Sequence, residues 1–156
     1  MTGSLPAVHQ FQWPVRVYYE DTDSGGVVYY ANYLKFMERA RSEWLRSLGV
    51  EQDILRASEG IVFAVRSAHM EYLKPARFND VLYVNVAVEQ CGRASITFEQ
   101  QVTRLVTVPS TRRNSDQEPL LCCTGRVKVA CLDSSSLRVR PIPPSILAKL
   151  SVGEIS

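Results

Sequence analysis

No stretch of eighteen apolar residues runs without a charge anywhere in this chain of 156, so the sequence offers no segment suited to crossing a membrane as a helix. Neither sign of charge dominates. Eighteen lysines and arginines stand against sixteen carboxylates, and a net charge of +2 supplies no broad field for nucleic acid or an anionic bilayer. Any anion the chain binds must be held by a local site. The amino terminus, MTGSLPAVHQFQWPV, lacks a basic segment followed by an apolar one, so the chain reads as soluble, unexported and cytoplasmic. Cysteine is sparse: Cys91, Cys122, Cys123 and Cys131 include no C-x-x-C pair, and two are adjacent. That usage fits reduced thiols in a sheet and gives no reason to expect a disulfide framework or a metal site. Histidine occurs only at His9 and His69, and no G-x-S-x-G elbow exists, which leaves serine and histidine chemistry poorly supported.

What is present is an apolar content of 46%, enough for one core in one domain spanning residues 1–156. Flexible stretches are expected at 1–12 and 108–118. The latter holds most of PSTRRNSDQEP, which is polar, Pro-bounded and rich in turn formers.

Alternation of Val15, Val17 and Tyr19 against Arg16, Tyr18 and Glu20 predicts a strand over Trp13 to Glu20. Tyr33, Met37, Ala40, Trp44 and Leu48 then recur at helical spacing, with Leu34, Phe36 and Leu45 widening the stripe. A helix over about Tyr30 to Leu48 follows, ended by Gly49 in the left-handed position past its last turn. GIVFAVRSAHMEYLKP reads as an extended segment stopped at Pro75. DVLYVNVAVEQ, the turn CGR and ASITFEQQVTRLVTV form a hairpin, LLCCTGRVKVACLD is a last strand, and PIPPSILAKL is a short turn or helix. One long helix with aromatic residues on several faces is best covered by a curved antiparallel sheet of about five strands, an α+β fold. The partly apolar outer residues of IVFAVRSAHM suggest that a second subunit covers the sheet, hence an oligomer.

The chemistry concentrates in EDTDSGG. Asp21, Asp23 and Gly26 match the first, third and sixth positions of a calcium loop, but Gly25 fills the fifth and Asn32 the twelfth, where oxygen ligands belong. A solvated turn feeding negative charge to the helix start accounts for Glu20 and Asp21. Asp23 differs, because Gly25 and Gly26 follow it and let the backbone pass close to a ligand. Backbone N–H groups near Tyr29 and Tyr30, at the positive end of the helix dipole, would polarise a carbonyl while Asp23 activates water or attacks the carbonyl carbon. Hydrolysis of a reactive ester or thioester needs little more.

The segment VYYEDTDSGGVVYYANYLKFMERARSEWL closely resembles the 4-hydroxybenzoyl-CoA thioesterase family of hotdog proteins, in its YbgC-type branch, and the resemblance extends through FAVRSAHMEYLKPARFNDVLYVNVAVEQCGRASITFEQQV into RPIPPSILAKL. It implies a hotdog fold with active sites at the interfaces of a homodimer or homotetramer, acyl-CoA as substrate, and neither cofactor nor metal. Carried over by position, Asp23 is the catalytic carboxylate and the backbone N–H of Tyr30 the oxyanion donor. Gly26 belongs to the substrate loop, Glu38 stands near the acyl group, and Arg93 and Ser95 of GRAS contact the CoA nucleotide. The branch commonly has His where this chain has Tyr30, a change that leaves the backbone donor in place. Two other readings use the same fold. A hydratase would need a catalytic His beside an acid, which the helix-start segment lacks, and a non-catalytic acyl-CoA-binding or scaffold protein of lipid or envelope metabolism would keep the groove and dispense with Asp23.

Overall fold

The computed structural model describes residues 11–108 and 116–155. Its elements follow in the order β1 (Phe11–Arg16), α1 (Asn32–Ser47), α2 (Gln52–Ser58), β2 (Ile61–Tyr72), β3 (Val81–Cys91), β4 (Ser95–Val108), β5 (Asp116–Asp133) and α3 (Pro144–Ile155). The strands form one antiparallel sheet in the order β1-β3-β4-β5-β2. β1 and β2 are its edges. Pro14 sits in β1 opposite Tyr83, and an edge is where a strand tolerates a residue with no N–H. Register shifts at Val65/Ser67, Val88/Gln90 and Val102/Thr103 are bulges of the kind that bend a sheet.

The sheet lies on α1, whose buried residues Tyr33, Phe36, Met37, Ala40, Arg41, Trp44 and Leu45 recur at three- and four-residue steps. Trp44 meets Phe98 of β4 edge to face at 5.6 Å between centroids. A Cβ on Gly125 of β5 would fall 2.6 Å from Met37 Sδ and 2.9 Å from Met70 Sδ, so the bare glycine is what admits the two methionines. The α1 terminus is as expected: Gly49 has φ +83°, its N–H donates to the Arg46 carbonyl, and Val50 N–H to that of Leu45.

Several boundaries differ from the sequence reading. β1 stops at Arg16, because the Asp21 carboxylate accepts the Tyr18 N–H at 2.8 Å and closes a 3-10 turn over Tyr19–Asp21. That local side-chain bond outcompetes the strand pattern. α2 was not expected at all: it is seven residues long, and only Leu55 is buried, so it shows no stripe. β5 begins at Asp116 rather than Leu120. Most of the two segments expected to be flexible lies outside the described residues. Phe11 and Gln12 nevertheless pair with Val86 and Asn85, and Val108 with Asp116.

Residues paired across antiparallel strands share a face, and the outer face of β2 is apolar at one end, where Val62 and Ala64 pair with Leu132 and Ala130, and polar along the rest. Ser67, His69 and Glu71 stand with Lys128, Arg126 and Thr124 on the side away from α1, where Arg126 Nε also donates to Glu89 Oε1 at 2.6 Å. The exposed apolar residues of β2, Val65 (51%) and Tyr72 (47%), pair with the buried Val129 and Cys123 and so lie on the helix side. The β2 edge is therefore one exposed apolar surface.

Candidate active site

Asp23 closes a loop on itself. Thr22 and Val28 form a bridge, the Asp23 N–H donates to the Val27 carbonyl at 2.9 Å, and the Gly26 N–H to the Asp23 carbonyl at 3.0 Å. Asp23 Oδ1 accepts from the Gly25 N–H at 2.8 Å and the Val27 N–H at 3.4 Å. Oδ2 accepts nothing among the described residues, and the side chain is exposed. One oxygen thus fixes the carboxylate while the other is presented outward. Gly26 has φ +82°, a conformation that needs glycine, and no atom lies within 4 Å of where its Cβ would be.

Asp21 is no solvated turn residue. It is 7% exposed, its carboxylate holds the Tyr18 N–H, and its carbonyl accepts from the Tyr29 N–H at 3.0 Å and Asn32 Nδ2 at 2.8 Å. Asp21 staples the acidic turn to the mouth of α1. Its bond takes Tyr29 out of the expected pair of donors. At the next positions the Asn32 N–H bonds to the Tyr29 carbonyl and the Tyr33 N–H to the Tyr30 carbonyl, while the N–H groups of Tyr30 and Ala31 make no hydrogen bond among the described residues. The helix mouth therefore offers two open donors at its positive end.

Beside them lies a groove of about 230 Å³ lined by Val28, Tyr30, Tyr33, Tyr72, Leu73, Lys74 and Pro75. The Tyr30 ring packs against Tyr29 at 4.7 Å and against Tyr72 at 5.8 Å, and Tyr72 leans on Tyr33 at 5.7 Å. The Tyr33 hydroxyl accepts the Ala76 N–H at 3.2 Å, and burial pushes its pKa up to about 12. Cys123, behind this wall, is likewise pushed up to about 12 by burial. Both stay protonated near neutrality. His69 cannot rescue that thiol as a base, because it projects from the opposite face of the sheet beside Glu99, Gln101 and Arg126.

Other expected site residues stand apart. Glu38 is exposed on α1 at a second cavity of about 130 Å³, shared with Arg41, Ser42, Gln52, Phe63 and Val65 and having no lining residue in common with the tyrosine groove. Arg93 is in the β3–β4 turn and Ser95 opens β4, their carbonyls accepting from Ile142 and Gly92. The Asp23 loop instead bridges to Arg77, before the other end of β3. Ten residue steps along β3 separate those ends, roughly 33 Å. One protomer does not bring Arg93 and Ser95 to Asp23. Sequence reasoning missed the buried Arg41 and the stacking Tyr72; the one available signal was that Arg41 falls inside the apolar stripe of α1.

A five-stranded antiparallel sheet laid on one long helix, with the Asp23 loop leading into that helix, is the hotdog fold. The chain belongs to the thioesterase-like superfamily, whose family model matches residues 17–150. It is 41% identical over 139 residues to the acyl-CoA thioester hydrolase YbgC of Escherichia coli O157:H7, covering 89% of this chain and 94% of that one. With the acyl-CoA thioesterase YbgC of Haemophilus influenzae it shares 38% identity over 138 residues, 88% of this chain and 92% of the relative. A probable thioesterase from Bartonella henselae superposes with a TM-score of 0.72 at 28% identity, over 86% of this chain and 99% of that one. A 4-hydroxybenzoyl-CoA thioesterase mutant solved with 4-hydroxybenzoyl-CoA superposes at 0.76 and 18% identity, over 90% and 98%, a likeness of fold. The resemblance read from the Asp23-to-helix segment is borne out.

Proposed function

We propose that this protein is an acyl-CoA thioesterase in which Asp23 and the Tyr30 N–H act on the thioester carbonyl. The observation that carries this reading is the open N–H of Tyr30 at the mouth of α1, beside a loop that turns one Asp23 oxygen outward. The carbonyl oxygen accepts from Tyr30. Water adds to the carbonyl carbon as Asp23 takes its proton, the oxyanion is held by the helix-mouth donors, and the C–S bond then breaks to release a carboxylic acid and the CoA thiol. Direct attack by Asp23 would pass instead through a mixed anhydride that water opens to the same products.

The site is completed by a second copy. The open β2 edge supports antiparallel pairing of two protomers, which sets the Tyr72 end of one against the Ile61–Val65 end of the other. Asp23 and Tyr30 of one subunit then face the Glu38 cavity of the partner subunit. Ser95 is level with Ala130 and Ala64, so Arg93 and Ser95 of the partner subunit come within about three strand spacings, about 14 Å, of the paired edge. That is a suitable reach for the CoA nucleotide, with the thiols of a reduced, cytoplasmic protein.

The test is hydrolysis of short, long and aromatic acyl-CoAs by wild type and Asp23→Asn, which removes the charge at nearly constant shape. A loss of at least about 100-fold in kcat with CoA binding retained is expected. Equal turnover by the two would sink the assignment, and CoA binding without turnover by either would mark a binding protein.

A further inference from the structure

Arg41 is the only basic residue buried among the described residues, at 6% exposure. Its Nη1 donates to Gln100 Oε1 at 2.9 Å, and its guanidinium stands 5.9 Å from the Phe98 ring centroid. Gln100 is already committed, since its Nε2 donates to the carbonyls of Met37 and Asn85. No carboxylate is ion-paired with Arg41 among the described residues. A guanidinium has five N–H donors, so most of Arg41's capacity is unaccounted for. Its nitrogens are not sealed off either. Arg104 Nε is the only unpartnered, fully buried side-chain nitrogen among the described residues, so the remaining donors of Arg41 keep some solvent access, and the residue lines a cavity.

Apart from Arg41, that cavity is walled by Leu45, Phe63, Val65, Ile96, Phe98 and Val129, with polar groups at Glu38, Ser42 and Gln52. An apolar pocket with one unpaired cation in its floor is built to receive an anion at the end of an apolar stem. Glu38 opposes this charge only in part. It is exposed, where water screens it, whereas Arg41 is withdrawn from water. At about 130 Å³ within one protomer the cavity suits a compact acyl group.

We propose that this cavity is the acyl pocket for short dicarboxylic acids joined to CoA through one end, and that Arg41 binds the distal carboxylate. The proposal rests on the thioesterase reading and on β2 pairing, which carries the thioester at Tyr30 of the partner subunit to the Phe63–Val65 rim. Burial lowers the pKa of Arg41 and outweighs the opposing pull of the Glu38 carboxylate.

The experiment compares kcat/KM for glutaryl-CoA and hexanoyl-CoA, similar in bulk but differing in the terminal charge. Wild type is expected to favour glutaryl-CoA by about tenfold. Arg41→Met should lower glutaryl-CoA turnover by about 30-fold or more and leave hexanoyl-CoA within about threefold, with Arg41→Lys between. Equal losses on both substrates would reduce Arg41 to a packing residue and overturn the proposal, as would a wild-type preference for hexanoyl-CoA. A second measurement needs neither a folded variant nor turnover: free glutarate should raise the Tm of wild type where hexanoate does not. Stabilisation by glutarate without hydrolysis of either thioester would keep the anion pocket and refute the thioesterase reading. Absence of both effects would overturn the pocket itself.

Discussion

The Tyr29 N–H donates to the Asp21 carbonyl oxygen at 3.0 Å, and this single bond makes Tyr30 the first open donor at the mouth of α1. Because the donor is backbone, the side chain of Tyr30 is dispensable to it. Tyr30→His should keep kcat within about threefold, whereas Tyr30→Pro, which deletes the N–H just ahead of the helix, should lose about 100-fold or more while remaining folded by circular dichroism. A folded Tyr30→Pro enzyme with normal kcat would move the oxyanion donor elsewhere, with Ala31 next in line.

Tyr33 links stability to alkaline pH. Its folded pKa of about 12 lies above the ordinary 10.0, so the native state favours the neutral phenol. That contribution is complete below pH 10 and is lost as pH rises through 12. Tyr33→Phe should cost about 1–3 kcal/mol at pH 7 by stranding the buried Ala76 N–H. The gap between the two proteins in urea unfolding should then narrow above pH 10. A gap independent of pH would show that Tyr33 ionises freely in the native state.

Gly125 and the two methionines it admits should couple energetically. Gly125→Ala places a methyl against Met37 and Met70, and because both are flexible the expected cost is near the low end of overpacking, about 1 kcal/mol. Met37→Ala vacates the same space. In the Gly125→Ala background it should therefore cost less than in wild type, by about 0.5 kcal/mol or more in a double-mutant cycle. Strict additivity would mean the chain shifts elsewhere to accept the methyl.

Val65→Lys tests the paired edge. Val65 is half exposed on β2 and lines the Arg41 cavity, and a lysine there opposes strand addition. Sedimentation should report a monomer, and turnover should fall about tenfold or more although Asp23 and Tyr30 are untouched. A monomer with full activity would confine the whole site to one chain.

Much of this was legible in the residues themselves. The α1 stripe and the β3–β4 alternation each repeat over enough positions for the period to declare itself, and Asp23 stood out because two glycines follow it. α2 was invisible because only Leu55 meets the core, which leaves no period to read. The burial of Asp21 depends on one carboxylate finding the Tyr18 N–H, a local bond that no hydropathy pattern encodes. Arg41 was hidden for the opposite reason: it sits inside the stripe, but a charge at such a position reads as surface until the cavity beside it is known. The distance between Asp23 and Arg93 follows from strand order, which spacing along the chain does not reveal.

Pro14 has a bearing on assembly that reaches past its own strand. It lies on the β1 edge, where it has no N–H to offer an incoming strand. Two copies joined through β2 would display a β1 at each end, so the growth of a continuous sheet terminates after a single pairing. If β2 pairs as proposed, the β1 edge is the stop that gives a closed, finite particle in place of a fibre.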